Sequence, residues 1–393
     1  VTILALSMSA PAAAQELGRI RLGSAGLTPT IAVTNMGIDG NVYNTPENPQ
    51  RDFTATFTPN LRTVLTLGPS RLTFNNGFSL VYFKDSDSQR SAGTTNTFQW
   101  EVPVNRFRPY AAYTFNHSTA RPNIEIDTRA EHTITGVLAG TEVRLAPRVS
   151  ILVEAQHSLT RFGQDVMFLG TPLRQVLDRS TDSLEGAVRY DLTPLTRLMF
   201  SADIQRERFL LTDHRHSKGL TLRPGVEFSP SALIRGSAWL GYRKFNIDNA
   251  LVNDFSGIST AVDLTSTLRE ATRLSVRVER EPVYSISEFQ PYYVQTGVFA
   301  SVARRLRPSW EVNVGMGRQW QDYEVATAAL PGSIGPAIPL VEMSYQYTYQ
   351  AGMAFRLSSS ITFGVTGEYA RRRFGLAPDY NATRLFTNVT YAM

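Results

Sequence analysis

The sequence predicts an all-β fold, a transmembrane antiparallel up-and-down β-barrel of about 18 strands. Three observations predict it. Apolar and polar residues alternate with period two over segments longer than the roughly nine to eleven residues that cross a bilayer. A short turn motif recurs at intervals of about 40 residues, room for two such strands and one loop. Short turns alternate with long polar loops, the asymmetry of a barrel whose short turns face the periplasm.

The alternation is plain between turns. Phe53, Ala55, Phe57, Pro59 and Leu61 interleave with Thr54, Thr56, Thr58, Asn60 and Arg62. Leu220, Leu222, Pro224, Val226 and Phe228 stand against Thr221, Arg223, Gly225 and Glu227. Met343, Tyr345, Tyr347, Tyr349, Ala351 and Met353 alternate with Ser344, Gln346, Thr348, Gln350 and Gly352. Successive side chains of a strand point to opposite faces, so each segment has one apolar and one polar face. Strands of a soluble sandwich stop at about five or six residues. The register sends Val226, Leu240, Val314 and Tyr347 to lipid and Arg223, Arg243, Asn313 and Gln346 to the lumen.

The recurrent turns are Leu67-Gly68-Pro69-Ser70, Leu145-Ala146-Pro147-Arg148, Leu192-Thr193-Pro194-Leu195, Phe228-Ser229-Pro230-Ser231, Leu268-Arg269-Glu270-Ala271, Leu306-Arg307-Pro308-Ser309 and Leu357-Ser358-Ser359-Ser360, with a degenerate copy at 106–109. Long loops fall at 37–51, 84–96, 118–130, 161–181 and 326–339, among others. Eight short turns and nine long loops give 18 strands, an even number that puts both termini at the periplasmic end. Loops 161–181 and 330–339 are expected to fold inward and narrow the mouth. The last strand, Leu385 to Met393, resembles the signal read by the barrel assembly machinery, with Met393 where Phe is usual.

At 42% hydrophobic and 19% charged, the chain lacks the runs of roughly 20 apolar residues that a helical membrane protein needs. A barrel tolerates this balance, because lumen residues dilute lipid-facing ones. Residues 1–14 are small and apolar and read as a signal-peptide remnant, cleaved between Ala14 and Gln15. The expected organisation is this remnant, a short periplasmic segment at 15–26 and a barrel at 27–393. The absence of cysteine excludes a disulfide scaffold, thiolate metal ligands and a cysteine nucleophile. Tyr82 with Phe83, Phe98 with Trp100, Phe107 with Tyr110, and Trp320 with Tyr323 are candidate interfacial aromatics.

The inward register carries the candidate pore-lining residues. Its cations are Arg62, Arg144, Arg189, Arg197, Arg223, Arg235, Arg243, Arg277, Arg356 and Arg384. Its acids are Glu101, Glu142, Glu154, Glu185, Asp203, Glu227, Asp263, Glu279, Glu311, Glu342 and Glu368, and Gln346 shares the face. Such a lumen must be wet or salt-bridged between strands, since unpaired charge is costly to bury. The two sets nearly cancel, so the net charge of +5 arises outside the central lumen and ion selectivity is expected to be weak.

Catalytic constellations are thin. His117-Ser118, His157-Ser158 and His216-Ser217 are adjacent pairs whose side chains diverge in a strand, so a serine hydrolase is a remote alternative. Asp213-His214 could serve a barrel protease only with further acids at the rim. No metal, cofactor or nucleotide signature is present. Arg371-Arg372-Arg373, read as the start of a loop, points to lipopolysaccharide or solvent rather than nucleic acid.

The stretch Gly241-Tyr242-Arg243-Lys244-Phe245, Asp254-Phe255-Ser256-Gly257, Ala261 to Leu268 and Thr272-Arg273-Leu274-Ser275 resembles the putative β-barrel porin 2 family of outer-membrane proteins. Members of that family are similar to barrels encoded beside exopolysaccharide synthesis and export genes. The resemblance implies a bacterial outer-membrane barrel and no enzyme, with periplasmic polysaccharide export proteins as candidate partners. The expected function is a passive water-filled pore for hydrophilic solutes, exported glycan among the candidates. The alternative is a plugged or partner-gated barrel serving polysaccharide secretion.

Overall fold

A computed structural model describes residues 20–249, 252–287, 290–323, 343–373, 375 and 378–392. The expected signal-peptide remnant and periplasmic segment up to residue 19, Glu342, loop 330–339 and Met393 lie outside these residues. The barrel strands are β1 Ala25–Asp39, β2 Asp52–Leu67, β3 Ser70–Phe83, β4 Ser91–Glu101, β5 Phe107–Ala120, β6 Ala130–Ala146, β7 Val149–Phe162, β8 Arg179–Thr193 and β9 Thr196–Phe209. They continue as β10 Ser217–Phe228, β11 Ile234–Ile247, β12 Phe255–Leu268, β13 Thr272–Tyr284, β14 Tyr292–Arg307, β15 Trp310–Tyr323, β16 Met343–Arg356, β17 Ile361–Arg373 and β18 Tyr380–Ala392.

Each strand pairs antiparallel with its neighbours in sequence, and β18 pairs with β1, so the 18-stranded barrel is closed. Closure removes the open edges that a membrane cannot satisfy. Ile20–Leu22 pairs back onto the start of β1. The eight short connections share one end of the barrel with the start of β1 and the end of β18, and the long loops share the other.

The closing seam holds a bulge. Registers of β1 against both neighbours shift between Val33 and Gly37, where Asn35 sits at φ 52°. Asn tolerates this left-handed geometry better than most side chains. Beside it the backbones approach so closely that a Cβ on Gly37 would clash with the Leu385 carbonyl oxygen.

The turns divide by their first residue. At Pro147, Pro194 and Pro308 the preceding ladder shifts register, between Arg144 and Ala146, Asp191 and Thr193, and Arg305 and Arg307. Proline fixes φ near −65°, which excludes the primed turns that match strand twist, and a bulge absorbs the mismatch. Gly68, at φ 57°, leads into Pro69 with the ladder unbroken from Thr66 to Arg71.

The outer face is apolar. Leu240 is 59% and Val314 63% exposed, as residues of a wall that lipid covers are. Trp310 and Phe355 stack at 4.7 Å at the turn end of this face. Phe98 and Trp100 share it through their pairing with Phe74 and Leu72. Phe83, Tyr110 and Tyr323 do not join a girdle: each turns inward and is buried, because one member of each such pair falls on the opposite parity.

Candidate functional site

Arg62, Glu101, Arg144, Glu154, Glu185, Arg189, Asp203, Arg223, Glu227, Arg235, Arg243, Asp263, Arg277, Glu311, Gln346, Arg356, Glu368 and Arg384 share one face of the closed sheet, traced strand to strand by their partners. It is the concave face, opposite the Leu240 stripe. Arg197, Glu142 and Glu279 share it.

Neighbouring strands hold these charges in ion pairs. Glu142 receives Arg108 at 2.8 Å and Arg189 at 3.4 Å. Arg197 lies 2.7 Å from Asp191 and 3.7 Å from Glu227. Arg223 meets Asp203 at 3.2 Å, and Arg277 meets Asp263 at 2.7 Å. Across the seam Arg384 joins Glu368 at 2.7 Å and Asp39 at 3.1 Å. Tyr110 donates to Glu154 at 2.7 Å. The side chains of Arg277 and Asp263 are 67% and 57% exposed, so water reaches this stretch of the lumen.

The loop end is built differently. Loops and strand ends converge inside it on one apolar cluster: Ile126 from the β5–β6 loop, Leu173, Val176 and Leu177 from the β7–β8 loop, Val252 from the β11–β12 loop, and Ile286 with Tyr292 from the tip of the β13–β14 hairpin. Phe162, Phe209, Phe245 and Tyr323 meet them from the wall. The β13–β14 ladder runs on to Tyr284 and Tyr292, whereas β13 leaves β12 at Arg280. The freed tip bends inward, and Tyr284 packs edge-on against Phe209 at 4.8 Å and Phe245 at 5.6 Å. Loop 161–181 is inside too: its short helix Leu173–Leu177 buries the i, i+3, i+4 face of Leu173, Val176 and Leu177.

Buried charges tie the loops together. Glu125 accepts bonds from Ser285 Oγ at 2.5 Å, the Ile286 amide at 3.2 Å and Tyr323 Oη at 3.4 Å. Burial pushes its carboxyl up to about 7, against the pull of these donors and of Arg215 and Arg372. Arg215 is wholly buried, bonds the Ser285 and Pro291 carbonyls, and lies over the Phe209 ring. Arg372, 1% exposed, reaches the Glu125 carbonyl and Asp127. The expected exposed Arg371-Arg372-Arg373 loop is thus corrected. All three lie in β17, and alternation turns Arg372 into the plug while Arg371 and Arg373 face outward.

Glu125, Arg215 and the Tyr284–Tyr293 tip were not singled out in the sequence. The spacing of Leu173, Val176 and Leu177 is the one local signal there, a single amphipathic turn inside a polar loop.

The histidines are dispersed. His157 faces outward and lies 2.7 Å from Asp182. His117 Nδ1 lies 3.1 Å from Thr133 Oγ1. Ser118 Oγ lies 3.4 Å from His132 Nε2, with the other ring nitrogen of His132 at the Ala130 carbonyl instead of an acid. Among the described residues no group of three or more His, Cys, Asp and Glu could hold a metal ion.

Among solved structures, the chain resembles a BenF-like porin from Pseudomonas fluorescens Pf-5, with a TM-score of 0.52 at 10% identity over 95% of this chain and 100% of that one. It also resembles OccK2 (OpdF) of Pseudomonas aeruginosa, at 0.50 and 9% identity over 93% and 98%. These likenesses bear on the fold. No curated protein matches the sequence. The family match spans residues 16–393, nearly the whole chain, and the chain belongs to the putative beta-barrel porin 2 family.

Proposed function

We propose that this porin-like outer-membrane barrel is a diffusion channel for hydrophilic solutes whose loop end is narrowed by its own inward-folded loops. The observation that carries the reading is the water-exposed, ion-paired lumen at Arg277 and Asp263 beneath the apolar cluster at the mouth. Paired charges leave little net field along the path, so selectivity between ions is weak, and solutes are sorted by the width of the mouth. The inward charges from Arg62 to Arg384 form bands around the wall. None is assigned a catalytic role.

The packed mouth also favours a second reading, a barrel plugged until a periplasmic partner of a polysaccharide export system opens it. Single-channel current in a planar bilayer separates the two. A channel gives steps from the intact protein that scale with bulk salt. A plugged barrel gives none until the mouth is loosened. No current from either the intact protein or a loosened variant would sink the channel reading. Efflux of a labelled oligosaccharide from liposomes tests glycan as the solute.

A further inference from the structure

At the loop end of β15–β18 the outer wall changes character. Toward mid-wall its rows are mostly apolar: Val312, Met353, Val365 and Thr387 in one, Val314, Ala351, Gly367 and Leu385 in the next. One row nearer the loops, Met316, Tyr349 and Tyr369 align, and the two rings stack at 6.4 Å. The next row is Arg318, Tyr347 and Arg371, and the last is Trp320, Tyr345 and Arg373. Arg318 and Arg371 are exposed. The Arg318 guanidinium lies 5.3 Å from the rings of both Trp320 and Tyr347, and 5.8 Å from that of Tyr345. Between the tyrosines and Arg371 and Arg373 runs a groove of about 600 Å³.

Cations on a lipid-facing wall demand counter-charge, because hydrocarbon supplies none. At several other cations on this face the protein supplies it. Arg208 lies 4.0 Å and His157 2.7 Å from Asp182, and Lys218 lies 3.2 Å from Asp248. Among the described residues the four-strand patch groups three guanidiniums, Asp379 borders the groove 3.0 Å from Arg373, and Asp322, one row beyond Trp320, lies 4.0 Å from Arg280. Among the described residues no carboxylate forms an ion pair with Arg318 or Arg371, which leaves both available to an anion from the membrane.

We propose that this patch is a binding site for a phosphorylated glycolipid of the outer leaflet. Its headgroup phosphate sits at Arg318 and Arg371, its sugar ring lies on the Tyr347–Tyr349–Tyr369 surface, and its acyl chains follow the apolar rows below. Guanidiniums suit phosphate through paired, charge-assisted bonds. Flat aromatic faces suit sugar rings, and the order of the rows, apolar then aromatic then cationic, repeats that of such a lipid from tail to headgroup. The site rests on reading the loop end as the outer-leaflet end.

The test is native mass spectrometry of the purified protein in detergent, with a hexa-acylated diphosphoryl disaccharide lipid as probe. The wild type is expected to retain one lipid. The Arg318→Gln/Arg371→Gln double variant should lose about tenfold or more in affinity, as loss of a charge-assisted bond at each position implies. Arg208→Gln, whose arginine lies 4.0 Å from Asp182, should retain it. The phosphate-free form of the probe should bind like the double variant, and excess inorganic phosphate should not displace the lipid. Equal retention by wild type and double variant, or of lipid with and without phosphate, would overturn the site. Heat-modifiable gel mobility shows whether each variant is folded. Accessibility of the β7–β8 loop on whole cells reads orientation independently, so a failed site is distinguishable from a misassigned leaflet.

Discussion

Toward the turn end the lumen wall is a lattice of ion pairs that water reaches. Toward the loop end the same lumen is filled by tyrosines, phenylalanines and aliphatic side chains from loops that have left the wall. The wall is mostly apolar outside and polar inside, and that alternation sets no bore. The loops set it. Their apolar side chains escape water by packing on one another. The difference teaches that charge along the channel and closure of the channel are separable properties, placed in different parts of the chain.

Removing Arg215 should damage that separation most. Arg215→Ala deletes charge-assisted bonds to the Ser285 and Pro291 carbonyls and leaves Glu125 buried with less compensation. A cost of about 3–5 kcal/mol to the plug is expected, with the barrel intact. Limited proteolysis should cut the β13–β14 tip while heat-modifiable mobility is unchanged. A protected tip in this variant would mean that the plug does not depend on the buried arginine.

Leu173→Ala comes next, at about 2–5 kcal/mol for a wholly buried leucine. It carries no charge, so it sharpens the comparison: an increase in single-channel conductance without any change in selectivity would locate closure in apolar packing alone.

The pH response is graded and has a fixed sign. Closed, Glu125 is surrounded by Arg215, Arg372, Asp127, Tyr293, Tyr323 and Ser285, and burial holds its carboxyl up at about 7. Released into water, it regains an ordinary carboxylate value near 4.5. The closed state therefore binds the proton more tightly. The stabilisation from Glu125 is full below the ordinary value and is lost as pH rises through about 7. Conductance should rise between pH 5 and pH 8, and Glu125→Gln should flatten the profile. A profile that rises toward acid would break the assignment.

The smallest effect belongs to the wet end. Arg277→Gln removes one partner of an exposed pair, worth at most about 1 kcal/mol. Thermal unfolding should barely move, while the reversal potential in a salt gradient shifts toward cations. A large loss of stability would mean that the turn-end lumen is dry.

The wall was legible because alternation is written in every strand: Leu240 and Arg243 declare their faces with no reference to a neighbour. The number of strands followed from turns that proline and glycine punctuate. Loops carry no such code. Ile126, Ile286 and Tyr292 are isolated apolar residues among polar ones, and their burial depends on loops far apart in sequence meeting inside the barrel. Arg372 shows the limit from the other side. Three consecutive arginines suggest a solvated run, but strand parity divides them between the plug and the outer wall.

The seam has a consequence for how the molecule comes to exist. Its contacts join the two ends of the chain: the Asn35 amide bonds Asn388 Oδ1 across 353 positions. Pairings of such separation form late, because the loop they close is the entire sheet. Until Ile31 meets Tyr391 and Ile38 meets Leu385, β1 and β18 are both bare edges in a medium that cannot solvate them. A chain interrupted before β18 lacks the partner of β1, and the thirteen residues of β18 complete the ladder.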